Sequence, residues 1–101
     1  MFSILNYQHN KELIPITLIA KDYGKSARAF NKLLSELKIQ YKCGNTWALY
    51  QEYADKGYTN SLTIQVSEKR YVTRTYWTEK GREFLYDFLK NKHSILPNIK
   101  N

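Results

Sequence analysis

Apolar residues near the start of the chain recur three and four positions apart, which is the spacing of one face of a helix. They are Ile16, Ile19, Ala20 and Tyr23. We predict a short helix that begins at Pro15 or Thr17 and ends at Gly24, because proline suits the first turn of a helix and glycine adopts the positive φ of a helix C-terminus. Ser26 is a good N-cap for a second helix.

The second helix, predicted over residues 26–38, separates an apolar face from a polar one. The apolar stripe is Ala27, Phe30, Leu33, Leu34 and Leu37, and the other face carries Arg28, Asn31, Lys32 and Ser35. Two helices joined at a glycine, the second with a basic outer face, are typical of a helix-turn-helix that lays a recognition helix in the DNA major groove. Ala20 favours this interpretation, since crossing helices need a small residue. A helical hairpin with a solvated charged face remains the alternative.

The middle of the chain predicts short strands and one helical turn. Residues 39–42 alternate as a strand does, a turn follows at residues 43–45, and residues 47–49 resume an apolar run. Residues 50–57 predict a short turn of helix that ends at Gly57.

The last part of the chain predicts a hairpin followed by a helix. Leu62, Ile64 and Val66 have a period of two, residues 67–70 predict a turn, and residues 71–77 predict the second strand. Thr78 can cap a final helix over residues 78–92. The narrow apolar stripe of that helix is Phe84, Leu85, Phe88 and Leu89.

This order of elements predicts an α+β fold, a winged helix-turn-helix in which a helix pair is followed by a β-hairpin wing and a C-terminal helix. Lys69, Arg70 and Arg74 give the hairpin a basic tip and a basic strand. A wing of this kind touches phosphate or the minor groove, where cations gain most from the concentrated negative potential. Lysines on an exposed hairpin also deter edge-to-edge aggregation, which is the alternative explanation for them.

Three blocks of the sequence, IAKDYGKSARAFNKLL, YKCGNTWALYQEYADKGY and TYWTEKGREFLYDFLK, resemble the KilAC-type C-terminal domain of phage antirepressor proteins over about residues 14–92. The resemblance implies a virus- or prophage-derived domain that binds DNA and that normally follows a separate N-terminal domain. The family's helix-turn-helix region matches Ala20, Gly24, Ser26 and Arg28, and its closing helix matches Thr78, Gly81 and Arg82.

Residues 1–13 are too few to replace the family's usual N-terminal domain. We therefore expect a freestanding copy with a peripheral segment at residues 1–13, one domain at residues 14–92 and a tail at residues 93–101. Relief of repression, the outcome for which the family is named, can come from binding DNA or from binding the repressor itself.

The charge balance favours a polyanionic partner. Sixteen Lys and Arg residues against nine Asp and Glu residues give a net charge of +7 and a pI near 9.5. The single cysteine, Cys43, excludes an internal disulfide and is expected to be a half-buried filler. With no apolar run long enough to span a membrane and no signal-peptide pattern, we expect a protein of the bacterial host cytoplasm that has no membrane partner.

Enzymatic chemistry finds little support in the sequence. Gly24-Lys25-Ser26 ends like a phosphate-binding P-loop, but that motif needs a glycine where this chain has Ile19. His9 and His93 lie far apart with no cysteine partners, so no metal site is expected. We therefore predict a protein that is not an enzyme and that needs no cofactor.

Nine tyrosines raise the alternative that aromatic rings stack on the bases of single-stranded nucleic acid. Half-buried tyrosines with a hydroxyl near water are the favoured explanation. The residues concerned are Tyr41, Tyr50, Tyr53, Tyr58, Tyr71 and Tyr76.

The sequence therefore predicts a small phage-derived transcription regulator that binds double-stranded DNA. Arg28, Asn31 and Lys32 are expected to reach base edges, and Lys25 and Ser26 are expected to lie near phosphate. Ser35 lies on the same face, and Lys69, Arg70 and Arg74 are expected to hold the wing on the duplex. The alternative is a protein-binding inhibitor that grips a repressor or a host defence protein. A homodimer through the helix over residues 78–92 is a further expectation.

Overall fold

The computed structural model describes residues 13–98 and shows an α+β fold, as the sequence predicts. Four helices and two antiparallel hairpins are formed by these residues. In chain order the elements are α1 (Ile16–Asp22), α2 (Ala27–Glu36), β1 (Gln40–Cys43), β2 (Thr46–Leu49), α3 (Gln51–Ala54), β3 (Thr59–Ser67), β4 (Arg70–Trp77) and α4 (Glu79–His93).

The predicted helix pair is present, and Gly24 forms the turn between its members. Gly24 has a φ of +67°. Its N–H donates to Lys21 O and the Lys25 N–H donates to Ala20 O, each at 3.0 Å, which is the Schellman pattern of a helix C-terminus. The Ser26 hydroxyl then accepts a hydrogen bond from the Ala29 N–H at 3.1 Å and caps α2.

The second helix is shorter than the predicted span of residues 26–38, which was wrong at its C-terminal end. The regular helix ends at Glu36, and Lys38 has a left-handed φ of 65°. The Ile39 N–H donates to Leu34 O at 2.9 Å, so the turn repeats the Schellman pattern without a glycine. No glycine marks this end, and apolar spacing alone does not locate it.

The left-handed backbone at Lys38 gives a first prediction. Lys38→Gly is expected to stabilise the fold by about 1 kcal/mol. An L side chain in this conformation costs about 1–2 kcal/mol, and glycine removes that strain, but part of the gain is offset because glycine loses more backbone entropy on folding. Urea unfolding should show a higher midpoint with an unchanged slope. Lys38→Ala is the control, because it removes the charge and keeps the strain. An equal gain in both variants would contradict the backbone explanation.

The two hairpins each form a separate two-stranded sheet. β1 pairs with β2 so that Lys42 lies opposite Trp47, and β3 pairs with β4 so that Leu62 lies opposite Arg74. The two hairpins touch where the Thr75 hydroxyl donates to Trp47 O at 3.1 Å. The β3–β4 hairpin agrees with the sequence prediction, but its apolar period-two face is not core. Leu62 is 38 % exposed and Val66 is 45 % exposed.

The core lies where the helix pair meets α4 and the inner ends of the hairpins. Thr78 caps α4, as predicted, by accepting a hydrogen bond from the Gly81 N–H at 3.0 Å. Leu85 and Leu89 of α4 are fully buried. The buried apolar residues are Ile14, Ile19, Ala20, Tyr23, Phe30, Leu34, Ile39, Leu49, Trp77, Leu85 and Leu89.

An aromatic cluster covers the remaining apolar stripe of α4. Phe84 stacks on Tyr58 with ring centroids 4.3 Å apart, and Tyr53 lies 5.1 Å from Phe84 and 6.1 Å from Phe88. The stripe that we considered for a homodimer therefore packs within the domain. The dimer stays a prediction, and it would have to use other residues of α4.

Both ends of the described chain are tied to this core. Ile14 and Trp77 exchange backbone hydrogen bonds of 2.6 and 2.8 Å. Beyond α4, Ile95 packs against the core, and the Asn98 N–H donates to Asp22 O. Part of the expected tail at residues 93–101 thus folds back over α1. Nearly all of the expected peripheral segment at residues 1–13 lies outside the described residues.

The expectation of a half-buried cysteine was wrong. Cys43 is exposed, because it ends β1 next to the hairpin turn, where residues 41–45 are all exposed. The six tyrosines considered for base stacking fall into an exposed group and a partly buried group. Tyr41 and Tyr71 are exposed on the hairpins, whereas Tyr50, Tyr53, Tyr58 and Tyr76 are partly buried, as expected.

Candidate nucleic-acid interface

The outer face of α2 carries the predicted base-reading residues. Phe30 and Leu34 are fully buried and fix the rotation of the helix, so Arg28 and Lys32, four positions apart, both face outward. Both side chains are exposed. Among residues 13–98 neither side chain makes a hydrogen bond or an ion pair, so both cations can meet an incoming anion.

Asn31 lies on the same face but is held from within the protein. The Nε2 of Gln40 donates to Asn31 Oδ1 at 2.9 Å and to Asn31 O at 3.3 Å. Gln40 is only 2 % exposed and starts β1. An asparagine that reads adenine uses both its oxygen and its amide nitrogen. Gln40 uses one of the two acceptor sites of Asn31 Oδ1, so the amide N–H groups and one acceptor site of Asn31 remain for a partner.

A cleft of about 750 Å³ lies between α2 and the first hairpin. One wall consists of Ser26, Arg28, Asn31, Lys32 and Ser35 of the α2 region, and the other consists of Lys42 and Trp47 of β1 and β2. Trp47 is half-buried, and the Lys42 ammonium lies 4.8 Å from the centre of its ring. The predicted recognition face is therefore one wall of a cleft.

Two further grooves continue this surface toward the second hairpin. The first groove, of about 170 Å³, shares Asn31 and Trp47 with the cleft and includes Arg74. The second, of about 520 Å³, includes Arg74 and Arg70. A side-chain contact joins the two hairpins here, since the hydroxyls of Thr46 and Thr75 lie 3.1 Å apart. The basic residues of α2 and β4 thus belong to one continuous surface.

Most of the residues predicted to contact DNA come together on this surface, and two do not. Ser26, Arg28, Asn31, Lys32 and Ser35 line the cleft, and Arg70 and Arg74 line the grooves beside it. Lys25 and Lys69 are exposed but line none of these depressions. The Ser26 hydroxyl is already used as the cap of α2.

The sequence prediction missed the contribution of the first hairpin. Lys42, Asn45, Thr46 and Trp47 line the cleft or the grooves. The signal that points to the hairpin is the turn at Gly44, which places Lys42 opposite Trp47 once a two-residue loop is assumed. Nothing in the local pattern shows that this hairpin packs beside α2.

A fourth depression has the opposite charge. This cleft, of about 440 Å³, lies between α1 and α4 and holds the carboxylates of Asp22, Glu83 and Asp87 with the single cation Arg82, which forms an ion pair with Asp22. Burial, followed by the charge of Asp22, raises the pKa of Tyr23 to about 12. The Tyr23 hydroxyl in this cleft is therefore protonated at neutral pH.

The sequence also raised the questions of a P-loop, a metal site and a membrane-spanning segment. The segment before Gly24 is a helix and not the strand that precedes a P-loop. Within residues 13–98 no three His, Cys, Asp or Glu side chains are arranged so that they could hold one metal ion, and no helix is long and apolar enough to cross a membrane. His93 lies against Phe88 with ring centroids 5.3 Å apart, and His9 lies outside the described residues.

The resemblance noted from the sequence is confirmed by comparison with protein families. The chain belongs to the family of the phage antirepressor protein KilAC domain, whose model matches residues 6–92. The match begins earlier than the span of residues 14–92 that the three blocks indicate. No curated protein and no solved structure matches the chain.

Proposed function

We propose that this KilAC-family chain is a winged helix-turn-helix protein that binds double-stranded DNA and alters transcription in the bacterial cytoplasm. In this proposal α2 enters the major groove with Arg28 and Lys32 toward the base edges, and Lys25 and the start of α2 lie near phosphate. Asn31 contributes through its amide N–H groups, with Ser35 beside it. Lys69, Arg70 and Arg74 hold the β3–β4 hairpin against the duplex as the wing.

The separation of charge on the surface carries this proposal. The cleft and its two adjoining grooves contain five cations, Arg28, Lys32, Lys42, Arg70 and Arg74, and only one carboxylate, Glu36. The cleft between α1 and α4 holds three carboxylates and one cation. A set of cations that spans a helix and two hairpins is complementary to a phosphate backbone. A helical hairpin with a merely solvated face would not need that continuity.

The proposal predicts a selective loss of DNA binding when Arg28 and Lys32 are replaced together by alanine. Affinity for duplex DNA should fall by about 1–3 kcal/mol for a lost base contact, and the salt slope should become shallower for each lost phosphate contact. The melting temperature should stay close to that of the parent, because both side chains are exposed and alanine is a strong helix former. DNA titrations at low and moderate salt, together with thermal melts, measure both effects.

A double variant with the same net charge serves as the control. Lys80→Ala with Lys92→Ala also removes two exposed cations from a helix, but neither residue lines the cleft or its grooves. It should reduce affinity much less than the Arg28/Lys32 pair. Equal losses in the two double variants would show that net charge alone attracts DNA. Affinity that barely changes with salt in the parent would contradict phosphate binding altogether.

The alternative function is that of an inhibitor that binds a repressor or a host defence protein. Exposed apolar side chains on the β3–β4 hairpin support it, since Leu62, Val66 and Tyr71 are 38, 45 and 61 % exposed and aromatic residues are enriched at protein interfaces. A pull-down from nuclease-treated host extract separates the two functions. A stoichiometric protein that stays bound after nuclease treatment favours the inhibitor, and association that needs DNA favours the DNA-binding protein.

A further inference from the structure

We propose that the cleft between α2 and the β1–β2 hairpin binds one unpaired nucleobase of a DNA strand, stacked on the indole ring of Trp47. This inference rests on the proposed DNA-binding function and deepens it. The preferred ligand is then a duplex with a locally opened or unpaired position, whereas the proposed function requires only a paired duplex.

The chemistry of the cleft points to an occupant that is both flat and anionic. Trp47 offers a half-buried aromatic ring, and Arg28, Lys32 and Lys42 surround it with only Glu36 as a carboxylate. A nucleotide within a strand has this combination, since its base stacks on an aromatic side chain while the flanking phosphates meet cations. At about 750 Å³ the cleft lies within the size range of small-molecule sites.

The walls of the cleft can supply polar contacts to the edge of a bound base. The amide N–H groups of Asn31 are left available when Gln40 Nε2 donates to Asn31 Oδ1. The Ser35 hydroxyl lines the same wall. A base inserted between this wall and Trp47 would be stacked on its face and would meet hydrogen-bond donors at its edge, the two contacts by which proteins read unstacked bases.

Binding of a base would exchange the Lys42 ammonium on the Trp47 ring for the base. In the free protein its ammonium lies 4.8 Å from the centre of the Trp47 ring. An exposed cation–π contact of this kind is worth about two- to fivefold in an equilibrium constant, whereas stacking of a base on an aromatic side chain is worth about five- to 150-fold. A base is therefore expected to displace Lys42 from the ring, and the released ammonium can pair with a neighbouring phosphate.

The fluorescence of Trp47 makes the proposal directly measurable. The chain has two tryptophans, and the other, Trp77, is only 2 % exposed, so quenching by added DNA reports on Trp47. The probes are three DNAs of the same mixed sequence: a fully paired duplex, the same duplex with one unpaired base at its centre, and a single strand. Free deoxyadenosine monophosphate serves as the fourth probe, because it offers a base without a strand.

We expect the duplex with the unpaired base to bind about five- to 150-fold more tightly than the paired duplex and to quench Trp47. Trp47→Leu should abolish this gain, so that the variant binds the two duplexes equally tightly, whatever its affinity for the paired duplex. Trp47→Phe should keep most of the gain, because a phenyl ring still stacks. Both variants keep the hydrogen bond that ties this residue to β4, because it uses the backbone carbonyl, and thermal melts show how much stability the half-buried ring contributes.

Equal affinity of the parent for the paired and the unpaired duplex would overturn the inference, as would a gain that survives Trp47→Leu. Quenching by the free nucleotide at the concentrations at which the single strand acts would overturn the assignment to a DNA strand. If the paired duplex binds with a clear salt dependence and only the gain is missing, the proposed function stands and this inference fails. If none of the DNAs binds, both fail.

Discussion

Gly81→Ala is expected to destabilise the fold by about 3 kcal/mol, the upper end of the cost of overpacking a well-packed site. A Cβ built on Gly81 would overlap the carbonyl oxygen of Tyr58 and would lie 2.8 Å from the Trp77 ring. The nearest contact is backbone and cannot swing away as a flexible side chain can. The N-cap residue of α4 also contacts the backbone next to Tyr58, since the Thr78 hydroxyl donates to Gly57 O at 2.7 Å. A methyl group at Gly81 must therefore move α4 away from the hairpin.

Gly44→Ala is the matched control for this prediction. Gly44 has a φ of +65°, and a Cβ built there meets nothing within 4 Å. Its replacement is expected to cost only the left-handed backbone strain of about 1–2 kcal/mol. Urea unfolding of both variants gives the comparison. A Gly81→Ala protein as stable as the Gly44→Ala protein would mean that α4 and the Tyr58 backbone do not pack as closely as described.

The parts of the fold that follow local rules were predicted from the sequence. Gly24 needs a positive φ, Ser26 and Thr78 have cap chemistry, and the stripe of Phe30 and Leu34 fixes which face of α2 is buried. Each of these signals depends on residues within a few positions of one another. The helices and the turn between the first two follow from them, and the β3–β4 hairpin follows from the period-two alternation on either side of a turn.

The shape of the candidate site could not be predicted in the same way. The cleft exists because β1 and β2 pack beside α2, and the contact that orients Asn31 comes from Gln40, nine residues away. The sequence around Asn31 and the sequence around Gln40 do not indicate that the two residues are in contact. The hydrogen bond between Thr75 and Trp47 O, which joins the hairpins, spans 28 residues. Sequence reasoning therefore placed the basic residues on the exposed face of α2 and missed the wall opposite them.

Solvent exposure on the β3–β4 hairpin is the second feature that periodicity did not reveal. Alternation of Leu62, Ile64 and Val66 predicts a strand with one apolar face. The strand is confirmed, but a register shift between Gln65 and Ser67 interrupts the alternation at Val66. Whether such a face is buried depends on a second layer, and residues 13–98 provide one only near Trp77 and Thr75, where the hairpin meets the core and β2. The outer part of the hairpin stays available for DNA or for a protein partner.

Phe30→Ala should cost about 3–5 kcal/mol of folding free energy, the usual range for a large aromatic side chain removed from a core. Phe30 is fully buried, and its ring lies stacked on Tyr23 with centroids 5.1 Å apart. Alanine would leave a cavity between α1 and α2, the pair that presents the candidate site. A small domain has a total stability of about 5–15 kcal/mol, so this loss is a large fraction of it.

Leu18→Ala is the control for Phe30→Ala, because Leu18 lies on α1 and is 50 % exposed. It should change stability by no more than about 0.5 kcal/mol, as exposed substitutions usually do. Thermal melts and DNA titrations together separate the core from the surface. Phe30→Ala should lower the melting temperature and weaken DNA binding through unfolding, whereas the Arg28/Lys32 double variant should weaken binding alone. A Phe30→Ala protein that melts like the Leu18→Ala protein would mean that α2 does not rest on α1 through this ring, and the outward face assigned to Arg28 and Lys32 would lose its support.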